Sequence, residues 1–470
     1  MLVRHRQQCY GVWFSDGPGR QPKGLVAGED FRLDFEAPGR FFCGDLPPRL
    51  LDLMRISMAT YAVDRLSRRG ASESRSWRRD LTVRVEVLDP EFWMSREILD
   101  RLQEAVEFVS GDFWDFEFTK GRSSYEGTSP LLTRAFASES PLVCLYSGGL
   151  DSAAGLARRL QDCADRPVLP ITVKHQPRQQ VLIGGQFDRL RNQFGARIEP
   201  LVVKAAIIRP VGSRWRKEES SQRARSFLFA TAGAVAAVLS GSGSVEVYES
   251  GIGAINVPLM AGMLGTKATR GCHPEFLRRM SRLASLVAGR DVSFRLPFLD
   301  RTKGEIVRGL KRAGLADLAR GTVSCVRYPT GHRSYQQCGY CPACLFRRQA
   351  MLVAGIRERR GTYTFDLFGP AERVNRIRPE RLDSLRAFLM QAASLAAVQT
   401  TGRLPEPVDR HLRDTQILGP GDSAEPIIGL LSRNSDEWRL IAEAGRLKGY
   451  HWARLLDRNL VGQGVSHAPA

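Results

Sequence analysis

Leu142-Val-Cys-Leu-Tyr146 runs straight into Ser147-Gly148-Gly149-Leu150-Asp151-Ser152, and an Ala/Leu-rich stretch follows. A short apolar run, a glycine pair and a helix-forming segment predict strand, loop and helix in immediate succession. Such a loop points unpaired backbone N–H groups at one spot, where the helix dipole also favours an anion. Gly148 and Gly149 let the backbone approach phosphate oxygens with no Cβ in the way. The hydroxyls of Ser147 and Ser152 add donors. Asp151 would be repelled by phosphate unless a cation such as Mg²⁺ bridges the two. The plain alternative is a tight turn with a Ser/Asp helix cap. The stretch is neither the Gly-Lys-Ser/Thr type of phosphate loop nor the dinucleotide Gly-x-Gly-x-x-Gly.

Downstream the alternation continues. Leu142–Tyr146, 168–174, 198–203, 245–249 and 292–296 are predicted strands. Residues 152–159, 180–194, 221–239, 274–286 and 303–313 are predicted helices. Strand and helix in turn predict a mostly parallel sheet with helices on both faces, an α/β fold. Upstream, Leu50 to Leu66 carries helical periodicity, Leu81, Val83, Val85 and Val87 alternate as in a strand, and Ile98, Leu102, Val106 and Val109 mark a second helix. Phe116 and Phe118 suggest one more strand, and the Gly/Ser-rich stretch 121–130 a boundary. Beyond about Gly355 the pattern is helical, with Leu382, Leu385, Phe388 and Leu389 on one face. The expected division is an N-terminal α+β domain at 1–135, an α/β domain at 136–355 and a helical extension at 356–470.

The 470 residues carry 69 Lys and Arg against 50 Asp and Glu, a net charge of +19. That surplus favours anionic partners such as nucleotides or RNA, without naming a reaction. The first residues lack an apolar signal segment, and the longest apolar run, Phe227 to Leu239, is too short to span a membrane. A cytoplasmic protein without membrane contact is expected. Nine cysteines form no disulfide framework, and the count is odd. Cys338, Cys341 and Cys344 are three apart, and Cys325 is the nearest fourth sulfur, which predicts a closed, structural Cys₄ zinc lobe over 322–348. An iron–sulfur cluster competes with zinc on the same ligands.

The loop Ser147–Ser152 resembles the PP-loop of the ATP pyrophosphatases, enzymes with an adenine nucleotide alpha hydrolase-like fold. They split ATP between its α and β phosphates and adenylate a substrate oxygen. The motifs that follow it are Arg225-Ser-Phe-Leu228, His273-Pro-Glu-Phe276, Thr302-Lys-Gly-Glu305 and the cysteines up to Arg347. Their order resembles the 7-cyano-7-deazaguanine synthases, the QueC family, over about Pro141 to Met351. The resemblance implies that Asp151 and Lys303 are catalytic, Lys303 as a phosphate-binding point charge. It implies that Arg225 and Arg347 steady the ATP held by Ser147, Gly148, Gly149, Leu150, Asp151 and Ser152. Glu275 would accept from a purine-like substrate ring. The chain departs from the synthases at Gly271-Cys272-His273-Pro274, at Ser226, and in its long leader and tail.

The leader, with Ile56-Ser-Met-Ala-Thr-Tyr-Ala-Val-Asp64, Trp77-Arg-Arg-Asp80 and Asp89-Pro-Glu-Phe-Trp93, is similar to the long QueC-like proteins of Qat anti-phage systems. The similarity reaches Cys344-Leu-Phe-Arg-Arg-Gln-Ala-Met351. It implies ATP, Mg²⁺ and Zn²⁺ as cofactors and adenylation of 7-carboxy-7-deazaguanine. The acceptor would be the N-terminal amine of a partner protein in a defence operon. The competing expectations are a free synthase using ammonia, a PP-loop tRNA-modifying enzyme, and a non-catalytic nucleotide-binding scaffold. A homodimer is compatible with all of them, and nucleic acid is the less favoured partner.

Overall fold

The computed structural model describes residues 8–14, 24–34, 36–42, 46–69, 78–121, 140–163, 166–174, 177–195, 198–208, 219, 221–257, 270–328 and 336–455. The chain divides into two compact units. One comprises 1–147, 159–248 and 269–297; the other 148–158, 249–268 and 298–470. The expected boundary stretch beyond Gly121 and the expected frayed tail lie outside the described residues.

The first unit holds both sheets. One is four-stranded, in the order β2 (Gly24–Val26), β1 (Gln8–Trp13), β4 (Asp80–Val87) and β5 (Phe113–Lys120), with every neighbouring pair parallel. Phe113–Lys120 alternates buried and exposed side chains, so one face packs and the other meets water. The second sheet has six strands. β3 (Phe31–Leu33), β6 (Leu142–Leu145), β7 (Val168–Lys174), β8 (Leu201–Ile207), β9 (Ser244–Val247) and β10 (Ser293–Arg295) lie in the order β10-β9-β6-β7-β8-β3. The five strands β6 to β10 are parallel, as expected of the α/β alternation, and β3 caps the β8 edge antiparallel.

That order has a consequence for position. The chain lays β7 and β8 on one side of β6, then crosses to lay β9 and β10 on the other. β6 is therefore the strand where the winding reverses, and crevices at the carboxyl end of such a strand are where doubly wound sheets hold ligands. The Ser147–Ser152 loop leaves from that end.

Helix 225–239 is apolar all round and buried along ten of its positions, as a helix sandwiched in a core should be. A Cβ on Gly233 would stand 2.7 Å from Leu145 Cδ2, so glycine is what lets this helix lie on the sheet. Helix 48–66 of the leader packs against it, and Asp64 accepts a hydrogen bond from the Ala224 amide (3.0 Å) just ahead of its first turn. The strand predicted over 198–203 begins at Leu201, with Ile198 reduced to an isolated bridge, because Pro200 has no N–H to give the ladder. The helix predicted from Ser221 starts at Arg225.

The second unit is helical. Helices 342–353, 383–395 and 425–447 enclose one core around Leu345, Leu385, Phe388, Trp438 and Trp452. A second core joins the short helix 251–255 to the last long helix through Ile252, Ile255, Leu430 and Leu431. Leu382, Leu385, Phe388 and Leu389 are all buried, as their spacing predicts. Among the described residues no helix is long and apolar enough to cross a membrane.

Candidate functional site

After β6, Gly148 adopts φ +76°, a left-handed conformation that an L side chain resists, and the chain turns into helix 150–162. Ser147 is exposed, Gly149 half-buried and Leu150 buried. Asp151 and Ser152 stand in the first turn, where backbone N–H groups lack helical partners. The Val323 amide meets the Gly148 carbonyl at 3.5 Å, so the cysteine segment abuts the loop.

Asp151 is met by a cation. Lys303 Nζ lies 2.7 Å from Asp151 Oδ2 and 3.8 Å from Glu249 Oε1, and the three side chains are mostly buried. The Lys303 ammonium also sits over the Phe346 ring, 5.5 Å from its centroid. Lys303 is the first residue of helix 303–312, whose start is fixed by a complete capping box. Thr302 Oγ1 accepts from the Glu305 amide (3.1 Å), and Glu305 Oε2 accepts from the Thr302 amide (2.9 Å). Glu249 lies two residues beyond the end of β9 and accepts from the Ser250 amide (3.1 Å). Burial, and then the negative charge of Asp151, push its carboxyl up to about 7, with Lys303 opposing. Sequence reasoning did not single out Glu249. Its one signal was its place at the carboxyl end of a parallel strand.

Two carboxylates and one ammonium converging on a helix N-terminus make a compact polar centre. Asp151 Oδ1 is buried and accepts no hydrogen bond among the described residues. An oxygen of that kind, beside a second carboxylate, suits a hard cation such as Mg²⁺.

Each of the other residues expected to contact nucleotide or substrate has its own surroundings. Arg347 is fully buried in helix 342–353, where its Nε donates to Glu358 (2.8 Å), its second nitrogen to Thr322 Oγ1, and its third to the Ala319 carbonyl (2.9 Å). Glu358 also receives Arg348 and the Tyr363 hydroxyl. Its ion pairs hold it below the ordinary carboxylate range despite burial. Arg347 thus braces the cysteine lobe. Arg225 and Glu275 belong to the first unit. Arg225 donates to Gln222 (3.1 Å), and burial lowers its pKa, with Tyr61 opposing. Glu275 is buried beneath Arg278 and Arg279 at the start of helix 274–288, and His273 Nδ1 accepts from its amide (3.2 Å). His175 lies outside the described residues.

The four cysteines come together. Their Sγ atoms all lie within 4.8 Å of one another, buried, with Cys338 and Cys344 3.8 Å apart. Zinc–sulfur bonds of about 2.3 Å put tetrahedral sulfurs about 3.8 Å apart, so the cluster has the dimensions of a zinc site. Gly339 at φ +87° lets the turn pass, since a Cβ there would stand 2.0 Å from the Phe365 carbonyl. Pro342 at the first position then starts the helix that carries Cys344. Gln337 accepts from the Ser324 and Cys325 amides and ties the outlying cysteine to the other three. Hydrogen bonds from Cys325, Cys341 and Cys344 hold the Cys338 thiol well below its ordinary range. All four sulfurs are taken, so a metal here would be closed to substrate.

Residues 255–355 match the family model described as queuosine biosynthesis protein QueC. The chain is 28% identical over 234 residues to the 7-cyano-7-deazaguanine synthase of an Anaeromyxobacter species, covering 46% of this chain and 92% of that one. It is 34% identical over 90 residues to the synthase of Nitrosococcus oceani, covering 18% of this chain. Over 92 residues it is 34% identical to that of Thiobacillus denitrificans. The chain spans only 38% and 39% of the length of the latter two. These likenesses support a QueC-like family. The matched segment contains Lys303 and all four cysteines, and the whole leader, the Ser147–Ser152 loop and the whole helical extension fall outside it.

Proposed function

We propose that the chain is an ATP-dependent enzyme that adenylates 7-carboxy-7-deazaguanine and passes the acyl group to an amine, releasing AMP and pyrophosphate. The observation that carries this reading is the Asp151–Lys303 ion pair at the loop leaving the switch-point strand. The QueC-like match over 255–355 supports the substrate class.

In this reading the backbone amides of Ser147 to Ser152 cradle the β and γ phosphates at the helix N-terminus. Lys303 exchanges Asp151 for a phosphate oxygen and carries positive charge to the departing pyrophosphate. The substrate carboxylate attacks the α phosphorus, the bond from that phosphorus to the β-bridging oxygen breaks, and the acyl-adenylate forms. An amine then attacks the acyl carbon, its C–O bond to AMP breaks, and the amine gives up a proton as the amide forms. Asp151 and Glu249 would hold Mg²⁺, which supplies charge neutralisation along the polyphosphate. The cysteine lobe is structural: zinc there would fix the helix that carries Arg347 and Gln349.

The acceptor we assign is the N-terminal amine of a partner protein in an anti-phage system, in line with the likeness of the leader. The test is to mix the protein with ATP, Mg²⁺, 7-carboxy-7-deazaguanine and ammonium, and to read the products by mass spectrometry. AMP and pyrophosphate with adenylate or amide support the reading, and the search then turns to a protein amine. Free nitrile makes the chain a synthase that uses ammonia. No ATP consumption overturns the adenylation of 7-carboxy-7-deazaguanine and leaves tRNA modification or a scaffold.

A further inference from the structure

We infer that Arg433 and Glu437, on the last long helix, are positioning residues that hold Lys303 against Asp151. This rests on Lys303 being the phosphate-binding cation of the proposed reaction. The two residues are four apart, on one face of helix 425–447. Both reach the turn that carries Lys303. Arg433 donates to the Asp300 carbonyl (2.7 Å) and pairs with Glu305 (2.9 Å), the acidic member of the capping box. Glu437 accepts from the Thr302 hydroxyl (2.7 Å), the cap on the other side of Lys303.

The fit is close. A Cβ on Gly304 would stand 2.4 Å from Glu437 Oε1, so the residue after Lys303 lies flush against this carboxylate. The second oxygen of Glu437 accepts from Gln349 Nε2 (3.3 Å), which also donates to Asn434 (3.0 Å). Gln349 belongs to the helix that begins at the cysteine cluster. Arg308 lies 3.9 Å from Glu437. The same helix supports the other carboxylate: Leu430 and Leu431 pack on Ile252 and Ile255, just after Glu249. One element of the extension thus braces the turns that bring Lys303 and Glu249 to Asp151. Such bracing sets the geometry of a charge that must meet developing negative charge in place, and displacements of about 1 Å are costly.

The experiment compares E437A, E437Q and R433A with the native chain in four readings. They are the KM for ATP and kcat of AMP formation, zinc per chain, melting temperature, and the acylation rate of Lys303 by an amine-reactive reagent. E437Q keeps one acceptor for Thr302 and the same volume, so it covers the case in which E437A fails to fold. The expected result is native zinc content in E437Q, kcat lowered roughly tenfold or more in E437A and R433A, partial rescue by E437Q, and Lys303 acylated several-fold faster in every variant. Native kcat and native Lys303 acylation in folded E437A or R433A overturn the inference. So does activity lost only in step with the unfolded fraction. If the native protein makes no AMP, the proposed reaction fails. Lys303 acylation then still decides whether the helix holds this side chain.

Discussion

Asp151 and Glu249 share a single ammonium, so removing Lys303 leaves two neighbouring carboxylates facing each other in a mostly buried place. In K303A their repulsion loses the ammonium that offsets it, and in the proposed reaction the polyphosphate loses its point charge. AMP formation should fall at least about 100-fold, with K303R recovering only part because a planar fork cannot copy a compact ammonium. D151A should abolish pyrophosphate release while the melting temperature stays near native, and retained turnover in that variant would show the loop to be no more than a helix cap. Glu437 gives a separate test in pH. Burial pushes its carboxyl up to about 7 from an ordinary value of 4.5. The folded state therefore binds this proton more tightly than the unfolded chain. The stability it contributes is complete below pH 4.5 and is lost as pH rises through 7, by about 3 kcal/mol at most. Denaturant unfolding at pH 5 and pH 8 should show E437Q losing less over that interval than the native chain. An equal loss in both would place the titration elsewhere. Asp151 and Lys303 were legible in the sequence because each stands inside a short motif whose spacing has a mechanism. Glu249 and Glu437 are solitary acids far from those motifs, and only folding shows what surrounds them.

At the scale of elements, the cysteine lobe is a turn and a helix start with little apolar packing of its own. Among the described residues its apolar cluster is the four cysteines and Tyr363, with Val323, Tyr328, Tyr340 and Ala343 partly buried against them. A metal would supply what hydrophobic burial does not, so Cys344→Ser should lower both zinc content and melting temperature, and a chelator should do the same to the native chain. A variant with native zinc and an unmoved melting temperature would contradict a structural site. The turn at Lys303 has its own test in Gly304→Ala, where the new methyl meets Glu437 at 2.4 Å. Displacing that carboxylate should cost about 1–3 kcal/mol in denaturant unfolding. The same logic explains which elements the sequence revealed. Strands β6, β7 and β9 are short stretches rich in apolar and β-branched residues followed by helical periodicity, and they appear within a residue or two of expectation. β1 to β3 escaped, because two of them are three residues long and β1, QCYGVW, is broken by Cys9 and Gly11. Strands that short carry too little alternation to register, and pairing partners far along the chain decide them.

At the scale of the whole chain, compactness does not follow sequence order. Val12, Leu53, Met54 and Val85 share one continuous core with Val143, Phe227, Val245 and Phe276. Three links make that sharing obligatory. β3 covers the β8 edge through Phe31–Leu33, helix 48–66 covers a helix that is apolar all round, and Asp64 caps the Ala224 amide. Sequence periodicity reports which face of an element is apolar and is silent on what covers it. Deleting residues 1–135 should therefore leave three defects at once: an unpaired strand edge at Ala205–Ile207, an exposed apolar helix and an uncapped N-terminus. An open edge beside a bare apolar surface is a template for aggregation. The truncated chain should be recovered as insoluble or heterogeneous material by size-exclusion chromatography, whereas full-length protein gives one species. A monodisperse 136–470 fragment with a cooperative melt would mean that the leader is a separable module, free to act as a docking domain. An insoluble one would mean that the leader belongs to the catalytic fold itself, so that any partner protein must bind an outer surface of it.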